Sequence, residues 1–313
     1  SDFFALGGDS LRAALLVSRL RKQPGGEAFT VRDVYEGRTL GALAATLRAR
    51  AEAPAATVQV LDEGRVEGRS RPMLATVVQV AFLLALLLVV SSAAYVLGFV
   101  VAPALLATFT LTELLLVGPW LAALGFFGYA LVALWVAVIG KELLIGRYRA
   151  VRTPAWSGLH LRHWLVVRLV RLVPWPLFEG TEAKSMALRA LGARIGQRVH
   201  IHRGVDVLSG GWDLLEIGDD VTLGREVHPG VAELDDGHLV LGPVRIGAGA
   251  TFATRAGCGP DVEVGAGAFV QPLGYVAAGS RIGAGQAWDG VPARAVGAAP
   301  SVARDDVAAK ELS

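Results

Sequence analysis

The chain of 313 residues has one cysteine, Cys258, and only 19% charged residues. A lone cysteine excludes a disulfide framework within the chain and fits a reducing, cytosolic context. Scarce charge, with 53% hydrophobic residues and a mean hydropathy of +0.48, excludes an ordinary soluble composition and points to membrane segments. The net charge of +2 gives no reason to expect nucleic acid as a partner. No signal peptide is visible at the start. By length, two or three domains are expected.

Between Arg71 and Lys141 the only charged side chain is Glu113. A helix crosses a bilayer with roughly 20 apolar residues, so this stretch is too long for one crossing. It reads as two transmembrane helices within residues 73–140, divided near Pro103, one about Leu74 to Val101 and one about Leu114 to Gly140. At a helix centre Glu113 would cost on the order of 2.5 to 3.5 kcal/mol, so it is placed at the turn. Arg65, Arg69 and Arg71 precede the pair, Lys141, Arg147, Arg149 and Arg152 follow it, and the connecting turn has no Lys or Arg. The positive-inside rule then predicts a multi-pass protein of the cytoplasmic membrane with both flanking domains on the cytoplasmic side. Residues 141–190 read as a basic interfacial helical segment. In it, Trp156 to Arg171 sets Arg162, His163, Arg168 and Arg171 among Leu, Val and Trp. That pattern suits a helix on the membrane surface or one packed on the next domain.

The start of the chain carries Leu6-Gly7-Gly8-Asp9-Ser10-Leu11, preceded by Phe3 and Phe4. A serine that follows Gly-Gly-Asp and opens an apolar helix is the attachment signature of a thiolation (carrier) domain. Ser10 would anchor a 4'-phosphopantetheine arm, added by a phosphopantetheinyl transferase. Gly7 and Gly8 allow a bare, tight turn. Asp9 and Ser10 sit where amide dipoles at a helix N-terminus favour a phosphate. The plain alternative is that Asp9 or Ser10 is only an N-cap. Leu11, Leu15, Leu16 and Leu20 recur at helical spacing, as do Leu40, Leu43 and Leu47, with Pro24-Gly25-Gly26 as a loop between them. Val31 to Tyr35 reads as a short helix. Residues 1–50 read as an α-helical carrier domain lacking its first helix, hence part of a longer polypeptide, and residues 51–72 as a linker.

From Ile246 an apolar residue recurs every six positions: Ile246, Phe252, Cys258, Val264, Val270, Val276, Ile282 and Trp288. Small residues follow most of them, and a second set, Ala250, Ala256, Val262, Ala268, Gly274 and Ser280, lies four along. This is the hexapeptide pattern of a parallel β-helix, expected to be left-handed, over residues 191–298, with 299–313 a tail or linker. The period-six residues are expected inside, Cys258 among them as a core residue. Ile195, Ile201 and Val207, then Ile217 and Leu223, carry the pattern earlier. The register slips between Val207 and Ile217 and again between Leu223 and Ile246, so residues leave the coil there, and function tends to sit on such excursions. The second excursion runs from His228 to His238 and holds Glu233, Asp235 and Asp236.

Carrier, membrane hairpin and hexapeptide repeat in that order resemble the ε-poly-lysine synthase family of membrane-embedded nonribosomal peptide synthetases. The likeness is carried by Leu6 to Leu11, Ile145-Gly146-Arg147-Tyr148, Trp156-Ser157 with Arg162-His163-Trp164, Leu188 to Gly196, and Leu215 to Val221. Trp288-Asp289-Gly290-Val291-Pro292-Ala293-Arg294 looks like the ending of hexapeptide acyltransferases. The resemblance implies an adenylation domain upstream, further β-helix units in cis or a homo-oligomer, and condensation of carrier-bound aminoacyl groups into a homopoly(amino acid). It also implies two histidines a few residues apart after the middle coil; His228 stands at the first position and Ala232 at the second. A histidine suits proton removal from an attacking amine. His228 is therefore the expected base, Asp235 or Asp236 an orienting carboxylate, and His238 a further candidate. His200 and His202 read as surface residues. Two other readings stay open: a non-catalytic scaffold unit of a three-unit assembly, and an acyl-CoA-dependent O- or N-acetyltransferase.

Overall fold

The computed structural model describes residues 2–5, 7–20, 34, 35, 37, 39, 41–45 and 68–300. The expected loop Pro24-Gly25-Gly26, the segment Val31 to Asp33, the linker up to residue 67 (with Arg65) and the tail from 301 lie outside these residues. The chain forms two compact units, Ser1–Val60 and Leu61–Ser313.

In the first unit, helix α1 spans Ser10–Leu20. It buries Ala13 and Val17 against Val34 and Leu43, with Phe3, Phe4, Leu16 and Leu20 packed around them. Leu11 and Leu15 face outward, at 70% and 52% exposure, so not every leucine of the helical repeat belongs to the core.

The second unit opens with two helices long and apolar enough to cross a membrane, Pro72–Thr108 and Leu111–Leu144. At 1.5 Å per residue they run about 55 and 51 Å, well beyond a hydrocarbon core of about 30 Å. The break falls at Phe109 and Thr110, not near Pro103. Helix α2, Pro72–Val96, passes through a π-type turn, Leu97–Val101, into α3, Ala102–Thr108. In that turn the Ala102 N–H donates to Leu97 O, five residues back. A widened turn there accommodates the missing N–H and the ring of Pro103, which would otherwise kink the helix. The chain turns where Phe109 is extended, and helix α4, Leu111–Leu144, starts on a capping box. Thr110 N–H donates to Glu113 Oε2 at 2.8 Å, and Glu113 N–H donates to Thr110 Oγ1 at 3.3 Å. Glu113 thus sits at the turn, as its charge requires.

Helix α5, Gly158–Val170, is capped by Ser157 and buries His163, Val166 and Val170. It packs along α4, where a side chain at Gly140 would collide with Leu169. It also meets α2 through Trp164 and Phe82, whose ring centroids are 5.7 Å apart. Arg162, Arg168 and, at its C-cap, Arg171 remain exposed.

Beyond helix α6, Glu182–Ala190, short strands form three ladders that the chain visits in rotation. From Val244 the parallel partners are eighteen positions apart, as in Thr251 with Phe269 and Gly257 with Tyr275. Three hexapeptides therefore make one circuit. Ile246, Phe252, Cys258, Val264, Val270, Val276 and Ile282 are all buried, and Trp288 is partly so. The earlier partners are further apart, because Leu208 to Leu214 and Val231 to Pro243 leave the ladders. The second excursion is a hairpin of β7, Ala232–Asp235, and β8, His238–Leu241. Asp236 and Gly237 turn it with φ of 43° and 71°, the two positive values that a tight hairpin needs. Strand β8 also pairs with β1, Val151–Pro154, just after the second long helix.

The end of α4 is fixed to the ladders by buried charge. Lys141 is 2% exposed, and its ammonium lies 2.9 Å from Asp213 Oδ2 and 2.9 Å from Glu142 Oε1. Asp213 Oδ2 also accepts from Tyr148 N–H at 3.0 Å. Gly192, at φ +107°, leaves room for this pair: a Cβ there would run into the Asp213 carboxylate. Removing one partner of a buried ion pair costs about 3–5 kcal/mol, whereas replacing both by apolar groups is near neutral. Asp213→Ala is expected to lower the unfolding temperature of the detergent-solubilised protein, and the double variant Lys141→Met/Asp213→Leu to recover most of the loss. Equal loss in single and double variants would contradict this account.

Candidate functional site

Two sites emerge, one in each unit. In the first, Asp9 precedes α1 and its Oδ1 accepts from Arg12 N–H at 2.7 Å, so the cap role falls to Asp9. Ser10 is left exposed at the first turn, its Oγ 2.7 Å from Tyr35 Oη. Gly8 lies against Phe3, where any side chain would collide with the ring, and Gly7 has φ +88°. A bare turn, an exposed hydroxyl and a helix N-terminus fit a phosphodiester on Ser10.

In the second unit the third ladder makes a column. Its strands are β6, His228–Pro229; β11, Gly257–Cys258; and β14, Tyr275–Val276. Register places His228, Gly257 and Tyr275 on successive rungs at the same outward position. Asp206 adds a rung before them, its N–H bonded to Val227 O. The inward neighbours are Val207, Pro229, Cys258 and Val276, all buried. Burial pushes the Cys258 thiol up to about 12.

Asp206 Oδ2 lies 3.3 Å from His228 Nδ1, and Glu233 Oε1 lies 3.9 Å from His228 Nε2. Tyr275 Oη donates to the same Glu233 oxygen at 2.6 Å. Gly257 has no side chain between His228 and Tyr275, so the phenol reaches past it. Gly230 likewise leaves space into which the Glu233 carboxylate folds. The hydrogen bond to Asp206 holds the His228 pKa above its usual value; burial opposes this, and the charges of Asp206 and Glu233 add to it. Asp206 is held below the usual carboxylate range, first by His228. Burial, then Glu233, pushes the Tyr275 phenol up. An imidazole with a carboxylate on each side is suited to draw a proton from a cationic amine.

The other expected residues lie elsewhere. Asp235 is 68% exposed and faces Arg152 at 3.7 Å. Asp236 is a turn residue whose carbonyl oxygen is 2.7 Å from His238 Nδ1. These three sit at the tip of the β7–β8 hairpin, and the carboxylates beside His228 are Asp206 and Glu233. Ala232, at the expected second histidine, is buried next to Glu233. His200 and His202 are exposed on the outside of the first coil. Sequence reasoning passed over Asp206, Glu233 and Tyr275. The signal for two of them was there: like His228, Asp206 and Tyr275 directly precede an interior residue of the repeat.

A third cluster is buried. His163 faces Tyr148 Oη at 3.2 Å and packs against Gly210. Burial, then His160, pushes His163 down to about 4, so it is neutral near pH 7.

By NMR, His228 is expected to titrate above the ordinary histidine value of about 6.5, and Asp206→Asn to lower it. A raised folded-state pKa means that this pair stabilises the fold fully below the unfolded value and loses that contribution as pH rises through the folded one. An unchanged His228 midpoint in the variant would break the assignment.

Residues 1–47 match the family described as a phosphopantetheine attachment site. A 4'-phosphopantetheine group is thereby implied, and the setting of Ser10 fits it. The chain is 29% identical over 306 residues, 95% of its length, to a delta-poly-L-ornithine synthetase from Acinetobacter baumannii, of which it spans 22%. It is 44% identical over 68 residues, 22% of its length, to a plipastatin synthase from Bacillus subtilis, of which it spans 2%. Among solved structures, a maltose O-acetyltransferase from Clostridium difficile aligns with 52% of this chain and 97% of its own at 17% identity and a TM-score of 0.34. The likeness to the poly-ornithine synthetase therefore runs along nearly the whole chain, which spans about a fifth of that relative's length.

Proposed function

We propose that this chain is the carrier and one transferase unit of a membrane-embedded synthetase that condenses amino acids into a homopoly(amino acid). The observation that carries the reading is His228, held by Asp206 and faced by Glu233, in a chain that also bears a phosphopantetheine attachment site. The poly-ornithine synthetase activity of the Acinetobacter relative supports the product class. An adenylation domain of the longer polypeptide supplies the activated amino acid, and a phosphopantetheinyl transferase modifies Ser10.

The prosthetic group on Ser10 supplies the thiol that carries the aminoacyl unit as a thioester. His228 accepts a proton from the acceptor amine as its nitrogen bonds to the thioester carbon. The carbon–sulfur bond breaks, and His228 returns that proton to the departing sulfur. Asp206 orients the imidazole and stabilises its charged form. Glu233, braced by Tyr275, attracts the ammonium form of the acceptor, which gives up its first proton to solvent before it attacks as the neutral amine. Glu233 beside Ala232 gives this unit a second polar group without a second histidine, which favours catalysis over a purely structural role.

In this reading the three ladders close as a left-handed parallel β-helix, and the two long helices cross the cytoplasmic membrane as a hairpin. Arg69 and Arg71 before the hairpin, and Arg147 and Arg149 after it, set both ends on the cytoplasmic side. Lys141 adds nothing to that count, because Asp213 neutralises it. Further β-helix units, in cis or as an oligomer, complete the assembly.

Two measurements test the proposal in the full-length synthetase. Incubation with a phosphopantetheinyl transferase and coenzyme A adds the arm's mass to the wild type and not to Ser10→Ala. His228→Ala lowers the rate of chain growth by about 10²–10⁴-fold, and Asp206→Asn moves the acid limb of the rate profile to lower pH. Labelling that persists in Ser10→Ala, or growth at the wild-type rate in His228→Ala, removes that residue from the scheme.

A further inference from the structure

A cleft of about 250 Å³ lies between α5 and the β7–β8 hairpin. Trp164, Arg168 and Arg171 line one wall, and Ala232, Glu233 and Leu234 line the other. Glu233 is the group that faces His228, so one end of the cleft adjoins the catalytic column. That end is acidic, with Asp206 and Glu233 around a single imidazole. The α5 wall is basic. Arg168 lies over the Trp164 ring, 5.1 Å from its centroid. Arg171 makes no ion pair or side-chain hydrogen bond among the described residues, yet it is close enough to Asp206 to help hold that carboxyl ionised.

A cleft with the Glu233 carboxylate on one wall and, on the facing wall, a guanidinium that makes no ion pair among the described residues matches a small zwitterion. The ammonium goes to Glu233 and His228, and the carboxylate goes to the fork of Arg171. The volume is small for a ligand pocket and suits a single amino acid better than a long chain.

We propose that Arg171 is a specificity-determining residue that binds the carboxylate of the amine acceptor, so that the first acceptor is a free diamino acid and not a simple diamine. This rests on the reading of His228 as the base at the acceptor amine. Arg171 touches no reacting atom. It fixes which end of the acceptor enters, and a diamine has no group to give it.

The test uses the full-length, phosphopantetheinylated synthetase with L-ornithine or 1,4-diaminobutane as acceptor. Wild-type kcat/KM is expected to favour ornithine by about ten-fold or more, the size of one charge-assisted hydrogen bond. Arg171→Gln is expected to remove that preference, mainly through KM for ornithine, and Arg171→Lys to restore part of it. An unchanged unfolding temperature shows that the variant is folded. Equal use of both acceptors by the wild type overturns the proposal, and so does an equal loss on both in Arg171→Gln. A third arm presents the donor as a soluble aminoacyl thioester of pantetheine or of phosphopantetheine. A defect of Arg171→Gln seen only with the phosphorylated donor assigns the guanidinium to the arm's phosphate and overturns the proposal. His228→Ala is measured in parallel: full activity there with both acceptors refutes the base assignment itself, a result separate from any discrimination seen with Arg171.

Discussion

A buried ammonium against a buried carboxylate fixes the architecture of the second unit. Lys141 ends the second long helix, and Asp213 lies at the first excursion of the ladders. Two charges out of water are tolerated only when every lone pair and proton finds a partner. Here Glu142 gives the ammonium a second partner, and the Tyr148 amide gives the carboxylate one. Around this pair gather segments far apart in sequence: the Gly146-Arg147-Tyr148 turn, His163 of α5, and Gly192 after α6. Three of the segments that carried the family resemblance therefore meet at one junction. Orientation of the long helix relative to the ladders is set there.

The column of Asp206, His228 and Tyr275 follows from a different constraint. A hexapeptide circuit returns each residue to the same place one rung on, so outward positions line up without further design. Asp206, His228 and Tyr275 are neighbours because their repeats stack, and Gly257 leaves the gap that the phenol crosses. The scaffold is rigid, since its inward residues are close-packed. Only Glu233 comes from outside the stack, on a hairpin tied through β8 to the strand that follows the second long helix.

Much of this was legible in sequence, because period and composition are strong signals. The repeat from Ile246 to Ile282 predicted which residues are buried, and the two register slips marked where the chain leaves the ladders. Glu113 announced the turn between the long helices through the cost of burying its charge. What sequence hid were consequences of geometry. Pro103 read as a break, but a widened turn absorbed it. Asp235 and Asp236 are near His228 in sequence, yet a hairpin carries them away; Asp236-Gly237 before Leu239 was its signature. Asp206 and Tyr275 became neighbours of His228 only once the slips were known, since an uncounted insertion misaligns every rung before it.

Cys258 has a consequence for acyl-transfer chemistry. It is the only thiol the chain encodes, and it is sealed in the core with its proton held tightly. Thiolates exchange acyl groups readily, so in the proposed reaction an exposed cysteine would act as a stray acceptor for the aminoacyl group. With this one locked away, the prosthetic arm has no sulfur rival in its own polypeptide segment. Any thiol-directed reagent that reacts with the native, folded segment is therefore reporting on the arm.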